Sequence, residues 1–523
     1  MPRSRSRTVA AACALILAAL GSAPAPAPSG TPEPAPRASA SRGDPLARFH
    51  GQRVRWGACP ERRIPAGMRC GTVEVPLDYA DPGKGTIRVA LARLPATGRA
   101  KRLGSLVLNF GGPGGRGVAG LAEDPGLFAD LGERYDLVAF DPRGVGRSAP
   151  VSCGGSQETG GDAGDAAAQL AALRAVARRC ELASGPVLPY VGTVNVARDM
   201  DVMRRALGDR KLHYLGFSYG TRLGAVYAAQ FPKSTGRMVL DGVDTLSEPL
   251  AEQALASARG QQRALEHFLT WCAHRRGCVY GTNTRSARER VDDLVARLDR
   301  RPLVGGDGSY VSGRDVAASI GGALYSRSTW PALADALRMA EEDHDPVGLL
   351  RLGGPTAPSE GDRQEEQQGP GSVPADNAEA ALTAVNCADD PDRSNDKAAP
   401  ADIERELLAL RPAFEEASKV FGPRQLSTVL SCYGRPAGTD FIRRIDRPAG
   451  VPRMLLVGTR GDPATPYEWT EETARRIGSA VVLDHKGDGH LGYVNSACVR
   501  EYADRFLLDG RLPSGTRSCP AGQ

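Results

Sequence analysis

Gly216-Phe217-Ser218-Tyr219-Gly220 is the stretch on which the reading of this chain turns. An apolar run, 212–216, leads into it, and a helical pattern, 221–230, leads out of it. A strand that turns directly into a helix leaves almost no room around the turn, and glycines on both sides of a serine supply that room. Such an elbow lifts the Ser218 hydroxyl above the end of a sheet, at the positive end of the next helix. It also aims the Tyr219 backbone N–H at the place where a carbonyl oxygen would gain charge. A purely structural turn is the alternative; the strand before and the helix after favour a nucleophile.

Outward from the elbow, short apolar runs end in, or just before, Gly, Asp or Asn at 105–109, 135–140, 237–241, 453–457 and 480–484. Helical patterns at 196–207 and 468–477 lie among them. Strands alternating with helices predict an α/β architecture, a mostly parallel central sheet covered on both faces, with ligands at the carboxyl ends of its strands. Between about 245 and 445 the rhythm becomes helical, with patterns at 252–269, 287–298, 314–324, 331–342 and 403–420 and a polar stretch at 353–377. The division expected is a leader and linker at 1–42, core at 43–245, a helical cap insertion at 246–445, and the rest of the core at 446–523. Two unrelated domains in series would separate the chemistry-bearing residues on either side of the insertion.

A serine hydroxyl is a weak nucleophile and needs a base that an acid orients. Of seven histidines, His485 and His490 alone follow a late core strand. His490 lies in the flexible-looking Gly487-Asp488-Gly489-His490-Leu491-Gly492; His485 lies at the strand end and reads otherwise as a surface or supporting residue. For the acid, Asp462 follows a core strand in Gly461-Asp462-Pro463-Ala464-Thr465-Pro466, with Asp241 and Asp244 as alternatives and a turn before proline as the bland reading. A second oxyanion donor is expected from a glycine-rich loop after a strand, and Asn109-Phe110-Gly111-Gly112-Pro113-Gly114-Gly115-Arg116-Gly117 is the candidate. That loop lacks the Lys-Ser/Thr pair and the spacing of nucleotide-binding loops. Asp141-Pro142-Arg143-Gly144-Val145-Gly146-Arg147-Ser148 is read as a turn with charge pairing, without a chemical role.

The formal net charge is +5 in 523 residues, with no block of like charge, which argues against nucleic-acid or membrane-surface binding. Arg3, Arg5 and Arg7, the apolar run 9–20 and small residues from Gly21 have the order of a secretory signal peptide, and the run is too short to span a bilayer. Beyond Cys13 there remain ten of the 11 cysteines. Their number suits an oxidising compartment, and pairing of neighbours gives 59–70, 153–180, 272–278, 387–432 and 498–519.

Taken together, Gly111–Gly115, the 141–148 stretch, 216–221, Asn386-Cys387-Ala388-Asp389, 462–466 and the His490 loop resemble the secreted tripeptidyl aminopeptidases of actinobacteria. These are proline iminopeptidase-like members of the α/β-hydrolase fold, and the resemblance runs from about Trp56 to Cys519. It implies Ser218 as nucleophile, Asp462 as acid, His490 as base, and the Gly112 and Tyr219 N–H groups as oxyanion donors. Phe110 and Arg116 stand where the family usually has proline and serine. The reaction expected is acyl transfer to water from peptides with a free N-terminus, without metal or organic cofactor. An aminopeptidase also needs a carboxylate for the substrate ammonium. Asp389 and Asp390 in the insertion are the candidates, against a solvated acidic turn running to Asp392 or, less well supported, a calcium site. A secreted carboxylesterase or amidase with the same triad is the alternative activity; a catalytically silent binding protein on the same scaffold is the third reading.

Overall fold

Each of the six apolar runs becomes a strand, and three further strands complete a single sheet. In chain order they are β1 (Arg69–Pro76), β2 (Thr86–Leu94), β3 (Gly104–Asn109), β4 (Tyr135–Phe140), β5 (Leu212–Phe217), β6 (Thr235–Asp241), β7 (Met454–Gly461), β8 (Ala480–Asp488) and β9 (Ser518–Cys519). Their spatial order is β1-β2-β4-β3-β5-β6-β7-β8-β9. β2 pairs antiparallel with β1 and β4, and the remaining neighbours are parallel. The computed structural model describes residues 44–522 except 62–63, 156, 158–165, 307, 354–371, 393–396, 437 and 516. The expected leader and linker, and most of the polar stretch at 353–377, lie outside the described residues.

Strand alternation sends successive apolar side chains to opposite faces. Tyr214, Met238, Leu240, Met454 and Leu456 pack on one face with Val196 and Met200 of helix Thr193–Leu207 and Leu223 and Val226 of helix Tyr219–Gln230. Leu215, Phe217, Val239, Leu455 and Val457 pack on the other with Val118 and Leu121 of helix Gly117–Glu123 and Val499 and Phe506 of helix Ala497–Asp509. This double coverage explains why the central strands read as unbroken apolar runs. β1 and β2 escape that reading because Arg69, Glu74, Arg88 and Arg93 interrupt them, as suits strands near the sheet edge.

Between β6 and β7 the chain is helical: Leu250–Ala273, Thr284–Arg300, Gly313–Ala323, Trp330–Arg338, Val347–Gly353, Asn377–Asp389, Pro400–Ala417 and Gly422–Leu430, with one two-stranded hairpin. These helices have a core of their own, in which Phe268, Ile320, Trp330, Leu333 and Phe421 meet. A second cluster joins Leu170 and Leu173 of helix Ala166–Ser184 to Ile403, Leu407 and Phe414, so an element that precedes the nucleophile in sequence packs with the cap. The pattern at 331–342 is a helix to Arg338 that ends in a π turn, Met339–Asp343. The pattern at 403–420 stops at Ala417, and Gly422 then packs so closely on the Phe414 carbonyl that no Cβ would fit.

Five disulfides join Cys59–Cys70, Cys153–Cys180, Cys272–Cys278, Cys387–Cys432 and Cys498–Cys519, the pairs expected from neighbour pairing. Among the described residues no helix is long and apolar enough to cross a membrane.

Candidate active site

Ser218 stands between β5 and helix Tyr219–Gln230 with φ +56° and ψ −128°, a conformation that non-glycine residues rarely adopt. Its neighbours must be glycine for steric reasons. A Cβ on Gly216 would lie 2.6 Å from the Gly220 carbonyl oxygen, and one on Gly220 would lie 2.6 Å from Asn109 Oδ1. The turn is held by the Ser218 N–H, which donates to the Asp241 carbonyl at 2.9 Å, and by the Thr221 hydroxyl, which donates to the Ser218 carbonyl at 2.6 Å.

The glycine-rich loop after β3 lies against this turn. A Cβ on Gly111 would come within 2.9 Å of Ser218 Cβ and 3.4 Å of the Tyr219 nitrogen, so only glycine allows the approach. The Gly111 N–H donates to Asn109 Oδ1 at 3.0 Å, and Gly112 continues at φ +110°. Phe110, the bulky departure in this loop, packs with Phe128 and Phe217 at ring separations of 6.1 Å. Arg116, the charged departure, is near enough to Asp141 to oppose the burial that raises that carboxyl's pKa.

The loops after β7 and β8 bring Asp462 and His490 together. His490 Nδ1 is 2.9 Å from Asp462 Oδ2 and 3.0 Å from Oδ1. Asp462 also accepts from the Ala464 and Thr465 N–H groups, each at 2.8 Å, and from the Thr465 hydroxyl at 3.1 Å. Both side chains are buried. Burial pulls the His490 pKa down, but the charge and hydrogen bond of Asp462 outweigh it, with help from Asp241 and Asp244, and hold it above 6.5. His485 has a different setting. It is buried rather than at the surface, its Nδ1 lies 3.1 Å from the Thr459 hydroxyl, and burial keeps its pKa low.

Asp241 connects the two halves of this arrangement. Its carbonyl accepts the Ser218 N–H, while its carboxylate accepts the Gly492 and Tyr493 N–H groups at 3.0 and 2.7 Å, two and three residues past the histidine. The next residue, Gly242, has φ +67°, and a Cβ there would lie 3.2 Å from His490 Cε1. Asp241 therefore acts on loop geometry, and Asp244 is engaged by Arg222 at 2.9 Å; neither hydrogen-bonds His490 Nδ1.

Comparison with known proteins agrees with this architecture. A family model described as alpha/beta hydrolase fold matches residues 104–333, and one described as TAP-like protein matches 418–519. Serine protease Hip1 of Mycobacterium tuberculosis is 34% identical over 90% of this chain and 91% of its own length. Tripeptidyl aminopeptidase of Streptomyces lividans is 32% identical over 92% of this chain and 89% of its own. The chain belongs to the tripeptidyl aminopeptidase family. It is an α/β-hydrolase and a serine hydrolase. Carboxylesterase B of M. tuberculosis, 32% identical over 89% of both chains, shows that esterase-named proteins also lie within reach of this family member.

In this tripeptidyl aminopeptidase relative the acidic pair of the cap lines a cavity with Arg222, Glu248, Gln253 and Arg443. Asp389 accepts the Thr193 N–H at 2.9 Å and the Thr193 hydroxyl, and its burial pushes its pKa up to about 6, against the pull of Arg222. Asp390 accepts the Leu250 N–H at 3.0 Å and pairs with Arg443 at 3.1 Å. Asp392, the far end of the acidic turn, also pairs with Arg443, so this turn is ion-paired rather than simply solvated. The 141–148 stretch does pair charges: Arg143, fully buried, makes two 2.6 Å bonds to Asp199. Among the described residues one trio of potential metal ligands converges, Cys59, Glu61 and Cys70, and its two sulfurs are joined to each other. The sequence reading missed Thr465, three residues past Asp462. It weighed Asp241 only as an acid.

Proposed function

We propose that the protein is an exported serine exopeptidase that releases short units, tripeptides above all, from a free peptide N-terminus. The observation that carries the reading is the Asp462–His490 hydrogen bond, with Asp241 tying the same histidine loop to the Ser218 turn. In the reaction, His490 Nε2 takes the Ser218 proton as Oγ bonds to the substrate carbonyl. The oxyanion is stabilised by the Gly112 and Tyr219 N–H groups. His490 then gives the proton to the leaving nitrogen as the C–N bond breaks, and repeats the exchange with water to free the acyl group. Asp462 holds the tautomer with Nδ1–H and stabilises the imidazolium. The family's Hip1 and tripeptidyl aminopeptidase members support the peptide substrate. The basic-apolar-small leader and the five disulfides support export.

The substrate ammonium is assigned to the cavity containing Asp389 and Asp390. Both carboxylates already have protein partners, so the ammonium would share them rather than neutralise a bare charge. The Carboxylesterase B relative favours a second reading, hydrolysis of a small ester or amide at the same Ser218. One comparison separates the two: rates on a tripeptide anilide, its N-acetylated form and a short acyl ester. The exopeptidase reading requires the acetylated peptide to be slower by at least about tenfold, the loss of one well-made charge contact; equal rates, with the ester fastest, would sink it. Labelling by a fluorophosphonate that disappears in Ser218→Ala checks the nucleophile.

A further inference from the structure

We infer that Tyr325, a cap residue, walls the leaving-group side of the active site, so that its ring selects the residue that follows the scissile bond. The inference rests on the serine-hydrolase reading of Ser218 and His490. Tyr325 lies just past cap helix Gly313–Ala323 and reaches the histidine loop in two ways. Its backbone carbonyl accepts the His490 N–H at 2.8 Å and approaches Gly489 so closely that a Cβ there would lie 2.8 Å from it. Its ring stands edge-on to the imidazole, with centroids 5.1 Å apart and planes at 74°. Tyr325 is 43% exposed although its ring touches a buried side chain, and it is one of the few large exposed hydrophobic residues of the described surface.

The imidazole's other edges are occupied. Nδ1 faces Asp462, and Cε1 lies so close to Gly242 that a Cβ there would be 3.2 Å from it. Nε2 is the nitrogen left to exchange protons with Ser218 and the leaving group. When the acyl bond to Ser218 Oγ forms and the C–N bond breaks, the proton from Oγ passes through Nε2 to the departing nitrogen. That nitrogen must therefore lie within about 3 Å of Nε2. The side chain on the next carbon then lies within reach of a ring 5.1 Å from the imidazole. The ring of a partly exposed tyrosine there is an apolar platform, and the partner that chemistry brings to it is the first residue of the leaving peptide.

Two functions of Tyr325 separate cleanly, because the carbonyl that holds His490 is retained in any substitution while the ring is not. The test uses the full chain, Tyr325→Ala and Tyr325→Phe, with one tripeptidyl unit joined to leucine amide or glycine amide, and a tripeptidyl ester whose turnover is limited by deacylation. The expected result for Tyr325→Ala is a loss in kcat/KM of about tenfold on the leucine substrate and less than about threefold on the glycine substrate, in line with apolar pocket discrimination. Deacylation should be unchanged, since the leaving group has gone, and Tyr325→Phe should stay within about twofold of the parent because the ring is kept. An equal loss on both substrates and in deacylation would mean that the ring only steadies His490, and no loss anywhere would mean that it touches nothing; either overturns the inference. If the parent cleaves neither peptide yet still labels at Ser218, the exopeptidase reading fails by itself. The same comparison then runs on acyl esters of a bulky and a small alcohol, with the same pattern expected.

Discussion

Asp462, at the rim of the sheet, and Asp389, in the cap, are held in almost the same way. Each is buried, and each accepts both the N–H and the hydroxyl of one threonine, Thr465 in the first case and Thr193 in the second. What differs is the group on the remaining side. Asp462 meets an imidazole that can gain and lose a proton, whereas Asp389 lies near the fixed cation Arg222, which lowers its pKa, and the neutral Tyr219 hydroxyl, bonded to the same Thr193 at 2.6 Å. The threonine cradle orients a carboxylate; the partner decides whether that carboxylate serves proton transfer.

The sharpest way to break the comparison is to neutralise each carboxylate in turn. Asp462→Asn should lower kcat by about 10³–10⁴-fold with little loss of fold, because the wrong histidine tautomer is favoured, while Asp389→Asn should leave kcat on an N-acetylated substrate within about threefold. Equal losses would remove the distinction. The rise of the parent's kcat/KM with pH should have its midpoint above 6.5, since His490 must lose its proton to act and Asp462 holds that proton on. A midpoint below 6.5 would mean that Asp462 does not hold the imidazole charge.

Asp241→Asn comes next. Asn keeps an acceptor for one of the two N–H groups after His490, so kcat should fall by roughly 10–100-fold, the effect of a displaced base rather than a missing one. A fall as large as that of Asp462→Asn would make Asp241 the acid. For Asp389 the prediction concerns stability. Its folded pKa of about 6 lies above 3.8, so between those values the folded state holds a proton that the unfolded state has lost. Stability relative to Asp389→Asn should therefore fall as pH rises from about 4 to 6, by up to about 3 kcal/mol, read from denaturant midpoints. The smallest effect is expected at His267, which pairs with Asp488 at 2.6 Å, half exposed, two residues before His490. His267→Gln should cost no more than about 1 kcal/mol. Its hydrogen bond to Asp488 raises the His267 pKa, so that contribution is present at low pH and fades as pH rises through the raised value.

The elbow, the six central strands and the positions of Ser218, Asp462 and His490 were legible because tight turns and double-sided burial leave local marks in a sequence. β1 and β2 left weaker marks, since an edge strand mixes charged and apolar residues. Helix Asn377–Asp389, rich in alanine, merged into the polar stretch before it. Asp241 stood out as an acidic strand end, yet nothing local reveals that its carboxylate binds residues 492 and 493, more than 250 positions away. Tyr325 is hidden for the same reason. Its neighbourhood reads as an ordinary helix end, and its meaning comes from a loop 165 residues later.

The disulfides have a consequence for motion. Each closes a loop of 6 to 45 residues, two within the segment between β6 and β7 and three outside it, and none joins that segment to the sheet. The roof over the catalytic rim is thus stapled to itself and the floor to itself, while between roof and floor run only peptide chain and weak bonds. What holds the two storeys to each other is packing and hydrogen bonding, as where the Asn377 side-chain amide donates to the Gly144 and Val151 carbonyls.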